Sequence, residues 1–301
     1  MLRLREIKNK VIVTQNISDI TRAIGLVSAI KMKKAQKLAL GSRPFTEKVL
    51  DILKELTKYK ERIKKSFYFK KRKVRKSLAV VVASDKGFSG AFNKNILNFT
   101  EEEIEKMKFG VEIFAIGKKA IKFFKRKNYK LLVEFSGIGD YGEFEKVKPI
   151  ADKLIDYFKE NRFQKIILFY TDFISSFLQK PIKIQILPID LKMVEEIFRE
   201  YQLKKREKEI PLEKRGYFLL LEPSPREIFE GLVPQLVRYL IYHSILEANA
   251  SEHSARMLAM ERASQNAKEI MKELILEFNK VRQAKITSEV CEITTAKEAL
   301  V

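Results

Sequence analysis

After Pro234 the chain runs 67 residues to its last position without a glycine or a proline. Strong helix formers fill the run, which predicts one continuous helix from about residue 225 onward, with Pro223, Pro225 and Pro234 marking its beginning. At about 1.5 Å per residue such a helix is about 100 Å long. A compact globule of this chain length has a radius of gyration of only about 19 Å. The helix is therefore expected to project from any globule the chain forms. It also needs a partner, because tertiary packing supplies most of a helix's stability.

The N-terminal region offers that partner. Residues 3 to about 57 read as a second long helix, with Val13, Ile20, Ala23, Val27 and Ile30 at spacings that suggest a coiled-coil seam. Gly25 lies inside it at some cost in propensity, and Gly41 and Pro44 are expected to bend or interrupt it. The matching seam near the C-terminus is narrow and partly polar: Leu246, Asn249, His253, Arg256, Met260, Ala263, Ala267, Ile270 and Leu274. Ala259, Ala263 and Ala267 would allow close approach. The economical arrangement is an antiparallel coiled coil made from the two ends of the chain, with polar outer faces.

Between the ends, strand-like and helix-like segments alternate. Strands are expected at 78–84, 111–116, 131–135, 165–171, 182–189 and 216–222, and helices at 93–107, 118–127 and 147–161. That alternation argues for a Rossmann-like α/β domain inserted between the N- and C-terminal helices. No helix clearly separates 165–171 from 182–189, so the last strands are expected to pair antiparallel. The divisions are an N-terminal coiled-coil helix over 1–57, a basic linker over 58–76 read as a solvated helix end, the α/β domain over 77–222 and a C-terminal coiled-coil helix over 223–301.

Charge is distributed unevenly. The chain carries a formal net charge of +21, and its first 76 residues hold 23 Lys/Arg against 6 Asp/Glu. The last 67 hold 9 of each. Abundant Lys and Glu can reflect thermostability, but that does not explain the asymmetry. A basic arm predicts an acidic partner: nucleic acid, an anionic membrane surface or acidic protein loops. The aromatics Tyr59, Phe67, Tyr68 and Phe69 would support base stacking, which makes a nucleic-acid-binding coiled-coil protein the alternative reading. No apolar run approaches the length of a membrane span, and the N-terminus has neither the apolar core of a signal peptide nor a Ser-rich transit sequence.

Sites of chemistry are scarce. Cys291 is the sole cysteine, and His243 and His253 are the only histidines. A thiol metal cluster, an internal disulfide and a His-rich site are therefore excluded or disfavoured. Ser84–Asn93, SDKGFSGAFN, sits between a strand and a helix like a phosphate-binding turn. It lacks both GxGxxG and a Lys-Ser/Thr ending, so it reads as a turn needing glycine freedom. The Gly-rich FSGIGDYGEF, 135–144, reads as a surface loop, Glu195 and Glu196 as solvated, and His253 as a packing residue on the seam. No catalytic residue, cofactor or metal is expected.

The stretch EHSARMLAMERASQNAKEI, followed by FNKVRQAKITSEVCEI, closely resembles the C-terminal signature of the gamma subunit of F-type ATP synthases. IKNKVIVTQNISDITRAIGLVSAIKMKKAQ is similar to that family's N-terminal helix, and SDKGFSGAFN to its first strand-turn-helix segment. The resemblance implies a non-catalytic rotary shaft that couples proton flow through a membrane c-ring to ATP synthesis in a ring of alpha and beta subunits, with an epsilon subunit bound to the α/β domain. It also implies a peripheral place at the cytoplasmic face of a bacterial inner membrane.

By position, Arg282 and Gln283 match the pair that meets a catch loop of a beta subunit. Thr287, Glu289 and Arg256 match further coupling positions. Lys31, Lys33 and Lys34 are candidates for acidic beta loops on charge alone. Asp19-Ile20-Thr21-Arg22-Ala23-Ile24 departs from the family's pattern, with Ile24 where a Met is usual and Asp19 reversing a charge. Ser89 stands where Cys is common, and the single cysteine excludes the paired-cysteine redox switch of chloroplast members.

Overall fold

The fold is that of a computed structural model, which describes residues 2–63, 66–69, 72, 74–189 and 222–298. Two compact units divide the chain. One comprises residues 1–29 with 256–301, the other residues 30–255.

Five strands form the sheet of the larger unit: β1 (Lys76–Val82), β2 (Gly110–Ile116), β3 (Leu131–Phe135), β4 (Lys165–Phe173) and β5 (Gln179–Leu187). Their order is β3-β2-β1-β4-β5. The first four pair in parallel, and β5 runs antiparallel to β4, as the missing crossover helix predicts. Helices α3 (Phe92–Glu105), α4 (Lys118–Arg126) and α5 (Phe144–Lys159) make the crossovers. The expected strand at 216–222 falls, up to residue 221, outside the described residues, as do Glu195 and Glu196.

The central strand explains the layering. β1 is buried on both faces, and its side chains alternate between two cores with the period of two that a strand imposes. Leu78, Val80 and Val82 enter a core with α5, the far end of the N-terminal helix and residues 229–248. Ala79, Val81 and Ala83 enter a second core with α3 and α4, around Ile96, Ala120, Phe124 and Phe169.

Two long helices frame this domain in sequence. α1 covers Leu2–Leu56, and the last helix, α6, covers Pro225–Glu298, 74 residues and so about 110 Å of helix. α6 starts with a capping box. Ser224 Oγ accepts the Glu227 N–H at 3.3 Å and donates to the Glu227 carboxylate at 3.0 Å, with Pro225 at the first helical position, where a missing N–H costs nothing. α1 is not interrupted at Gly41 and Pro44: it stays helical through both.

The basic stretch after α1 corrects an expectation. A short 3-10 turn (Thr57–Tyr59) and the one-turn helix α2 (Lys60–Ile63) follow directly. Ile63, Ser66, Tyr68 and Arg72 are then buried rather than solvated. The Arg72 guanidinium lies 3.9 Å from the ring centre of Phe158 and 4.2 Å from that of Phe67, and it donates to Asn161. Burial lowers its pKa. Phe69 stacks on Phe229 at 4.9 Å. Charge counting misses this because an arginine's apolar stem and flat head can pack on aromatic rings.

Where β2 ends, Gly117 takes φ +97°, and a Cβ there would lie 2.0 Å from the Ala83 carbonyl oxygen. Gly117→Ala is therefore expected to destabilise the fold by about 2–4 kcal/mol, since backbone must move as well as strain be absorbed. Denaturant unfolding of the full chain checks this; an unchanged midpoint would refute it.

Candidate partner-binding surface

In the smaller unit, the first turns of α1 pair antiparallel with α6. The pairing can be followed residue by residue. Arg3 bridges Glu277 at 3.5 Å, Ser18 meets Ser264, and Gly25 faces Met260. As the number rises along α1, it falls along α6.

Midway along the contact, small residues stand on one or both sides. Ser18 Oγ and Ser264 Oγ lie 3.2 Å apart, both buried, and each hydroxyl also reaches the other's carbonyl, at 3.4 and 3.2 Å. At Gly25 a Cβ would sit 3.6 Å from the Met260 Cβ and 3.8 Å from the Met257 carbonyl. The propensity cost of Gly25 therefore bears on how closely two backbones approach. The shielded row of α1 is Ile7, Val11, Thr14, Ser18, Thr21, Gly25 and Ser28, with Met32, Ala35 and Ala39 continuing the alternation of four and three. On α6 the same alternation joins Met257, Met260, Ser264, Ala267, Met271, Leu274, Phe278 and Val281.

This overturns the expected N-terminal seam. Val13, Ile20, Val27 and Ile30 are 56, 59, 49 and 68 % exposed, and Ala23 is exposed as well. They belong to a second row, Val13, Ile17, Ile20, Ile24 and Val27, also spaced by four and three, of which only Ile24 is half-buried. Of the expected C-terminal seam, Met260, Ala267 and Leu274 lie on the observed row; Ser264 is buried there in place of Ala263, Ile270 is exposed, and Asn249 and His253 meet a loop of the sheet instead. The outer faces are not polar throughout either: Ile12, Leu26, Ile275 and Leu276 add to the exposed aliphatics. An exposed apolar surface of this extent marks an interaction site.

The other candidates fall into two groups. Arg282, Gln283, Thr287 and Glu289 are exposed on α6. Because Glu277 already faces Arg3, they lie beyond the first turn of α1, and every residue from Ile286 to Lys297 is exposed. Thr287 Oγ1 donates to the Gln283 carbonyl at 3.0 Å, and Lys285 pairs with Glu289 at 3.3 Å. Gln283 shares a helix face with Ile286, Val290 and Ile293, all exposed. Arg256, by contrast, is buried.

Lys31, Lys33 and Lys34 belong to the larger unit and are not equivalent. Lys31 Nζ donates to Asp140 at 2.6 Å, and Lys34 Nζ lies 4.0 Å above the ring centre of Tyr141. Lys33 is exposed. His253, read as a packing residue, is buried with Nε2 3.6 Å from the same Asp140. Burial works to raise the Asp140 pKa, but the hydrogen bond and charge of Lys31, with Lys86 and His253, outweigh it and lower the pKa. The lowered value means that the stabilisation is full above the ordinary aspartate pKa and is lost as pH falls through the lowered one. Sequence reading missed Asp140 because a Gly-rich loop carries no periodicity.

The alternative sites lose ground. Phe67, Tyr68 and Phe69 pack inside the domain rather than forming a stacking platform. The Ser84–Asn93 turn closes on itself. Asn93 Oδ1 accepts both the Ser84 N–H, at 3.1 Å, and the Ser84 hydroxyl, at 2.9 Å, while Asn93 Nδ2 donates to Ser89 Oγ at 3.1 Å. Among the described residues no His, Cys, Asp and Glu group is placed to hold a metal.

The family model described as ATP synthase matches residues 3–300. The chain belongs to the ATP synthase gamma chain family. It is 36 % identical over 301 residues to the ATP synthase gamma chain of Roseiflexus castenholzii, covering 98 % of each, and 34 % identical to that of Ruminococcus albus with the same coverage. The fold is similar to a chain of the Euglena gracilis mitochondrial ATP synthase rotor, with a TM-score of 0.62, 17 % identity and coverage of 94 % of this chain and 99 % of that one. As a member of this family the chain is the central shaft subunit of a rotary ATP synthase and is not itself catalytic. Its own surface agrees: two closely wound helices whose aliphatic rows face outward. Among the described residues no helix is long and apolar enough to cross a membrane.

The seam geometry gives a test. Gly25→Ala places its methyl in ordinary contact and should leave stability unchanged or raise it by about 0.5–1 kcal/mol, the helix-propensity difference. Gly25→Leu should force the backbones apart at a cost of about 1–3 kcal/mol. Thermal melting followed by circular dichroism separates the two; equal melting temperatures would refute the close-approach account.

Proposed function

We propose that the chain turns inside a sleeve of alpha and beta subunits and couples proton flow through a membrane c-ring to ATP synthesis and hydrolysis in that sleeve. Its helices over 1–57 and 223–301 serve as the shaft. The α/β domain over 77–222 contacts an epsilon subunit and the c-ring, at the cytoplasmic face of a bacterial membrane. The observation that carries this reading is the outward row Val13, Ile17, Ile20 and Val27, exposed along a helix pair whose own seam uses a different row of α1.

The physics of coupling sets what such a surface must do. A shaft changes a beta subunit's state only by contacting its states unequally. Aliphatic faces give non-directional contacts that suit successive identical partners. Burying one such side chain is worth about 1.5–3 kcal/mol, enough in small numbers to bias an equilibrium. Lys33 adds a long-range attraction to acidic loops. Lys31 and Lys34, though held within the chain, keep positive charge on the same stretch of α1. Ile24, half-buried beside the aliphatic row, makes the apolar contact that a longer side chain would make at that place.

Beyond the first turn of α1, Arg282 and Gln283 are placed to hydrogen-bond a loop of the sleeve, with Thr287 and Glu289 one turn further on. Arg256, being buried, would act by holding the shaft's shape. The double variant Arg282→Ala with Gln283→Ala, assembled into the complete complex, should lower ATP synthesis several-fold while leaving the melting temperature of the isolated chain unchanged. Normal synthesis by the double variant would overturn their assigned role.

A further inference from the structure

The stretch of α6 after Ala248 is gripped differently from the stretch before it. From Phe229 to Ala248 the helix buries large apolar side chains in the sheet's core. From Asn249 to Ser254 it is held by specific polar bonds to two loops at one edge of the sheet. Asn249 Nδ2 donates to the Gly139 carbonyl at 3.2 Å, and Ser254 Oγ to the Ser176 carbonyl at 2.6 Å. The first loop, 136–142, joins β3 to α5, and the second, 174–178, is the β4–β5 hairpin tip. Both loops also hold α1. Lys31 and Lys34 engage Asp140 and Tyr141, and Ser176 Oγ donates to Met32 Sδ at 3.7 Å.

Asp140 is the one side chain in this collar that meets both long helices at once. Lys31 of α1 lies 2.6 Å away and His253 of α6 3.6 Å, while Lys86 of the β1–α3 turn lies at 3.7 Å. Its loop is in turn fixed to the sheet. The Asp85 carboxylate accepts the Gly137 N–H at 2.8 Å and the Lys118 N–H at 2.9 Å, tying the ends of β1, β2 and β3 together. Gly142, with φ +54°, lets the loop lie against α6, since a Cβ there would be 3.2 Å from the Ile245 Cγ2. In sequence, Lys31 and His253 fall within three residues of the points where α1 and α6 pass from one compact unit to the other.

Apolar packing resists separation but is non-directional. A charge-assisted hydrogen bond such as Lys31 to Asp140 fixes direction and distance, and so resists twisting; on the α6 side His253 lies near the same carboxylate at 3.6 Å, while Asn249 and Ser254 make the hydrogen bonds. We infer that Asp140 is a positioning residue that locks both long helices to the sheet, so that torque crosses between shaft and α/β domain without slip. This assignment rests on the rotary reading.

The test uses the complete complex in sealed vesicles and compares ATP hydrolysis with ATP-driven proton pumping. Asp140→Asn should keep assembly and hydrolysis, with only the small fall in melting temperature that losing one ion pair brings, yet lower the protons pumped per ATP several-fold. Reversing the pair, Asp140→Lys with Lys31→Asp, should restore pumping in part. If Asp140→Asn does not assemble, His253→Gln, which removes the contact from α6, carries the same expectation. Hydrolysis and pumping that fall in proportion with a lowered melting temperature would make the residue merely structural. An unchanged pumping ratio would also overturn the assignment. Absence of pumping with the unaltered chain would instead count against the rotary reading itself.

Discussion

The closeness of the two helices at Gly25 and Met260 governs how the smaller unit is built. Around Ser18 and Gly25 the seam sets a glycine against a methionine Cβ and two serine hydroxyls against each other's carbonyls, whereas nearer the start of α1 it takes in Ile7. The aliphatic row Val13, Ile17, Ile20 and Val27 of α1 faces outward. In an isolated protein such rows would be a liability for aggregation. In the proposed shaft they are the surface that would meet the sleeve.

Much of this was legible in the sequence, and the failures share a cause. The sheet strands announced themselves by alternation: β3 at 131–135 stands where it was expected, and β1, β2, β4 and β5 within about three residues. α6 was legible because nothing in 67 residues could break it. The N-terminal seam was misread because two heptad rows run side by side on α1, and hydrophobicity points to the wrong one. The small-polar row through Ser18, Gly25 and Ser28 was equally regular, but it is not apolar, and pattern rules reward apolar residues. Arg72 and Asp140 were missed for a different reason. Their partners, Phe158 and Lys31, are distant in the chain, and such contacts leave no local period.

The charge asymmetry gains meaning from how lysines 31 and 34 are used. A net surplus on the N-terminal arm could attract any polyanion, and composition alone did not choose among them. Two of the three lysines are engaged by Asp140 and Tyr141, and of the aromatics that would have stacked on bases Phe67, Tyr68 and Phe69 pack in or against the core, leaving Tyr59 exposed. What remains exposed is an aliphatic row on the smaller unit and, on the larger, Lys33; the two chemistries suit protein loops carrying apolar and acidic groups. Base stacking demands flat exposed rings, and Val13, Ile17, Ile20 and Val27 are none of these.

A rotor transmits force only as well as its least directional joint. Between α1 and α6 the joint is two helices in close antiparallel contact, where sliding would drive Met260 off the notch at Gly25. Between the helices and the sheet, the joint changes character along α6, from interlocked apolar side chains at 229–248 to hydrogen bonds at 249–254. Close packing supplies most of the binding there, because it buries the larger area. It can, however, re-form after a small rotation, whereas the bonds of Asp140 to Lys31 and of Ser254 to Ser176 hold in one orientation only. Division of labour between area for adhesion and polar geometry for register is what a part that must turn as a single body requires.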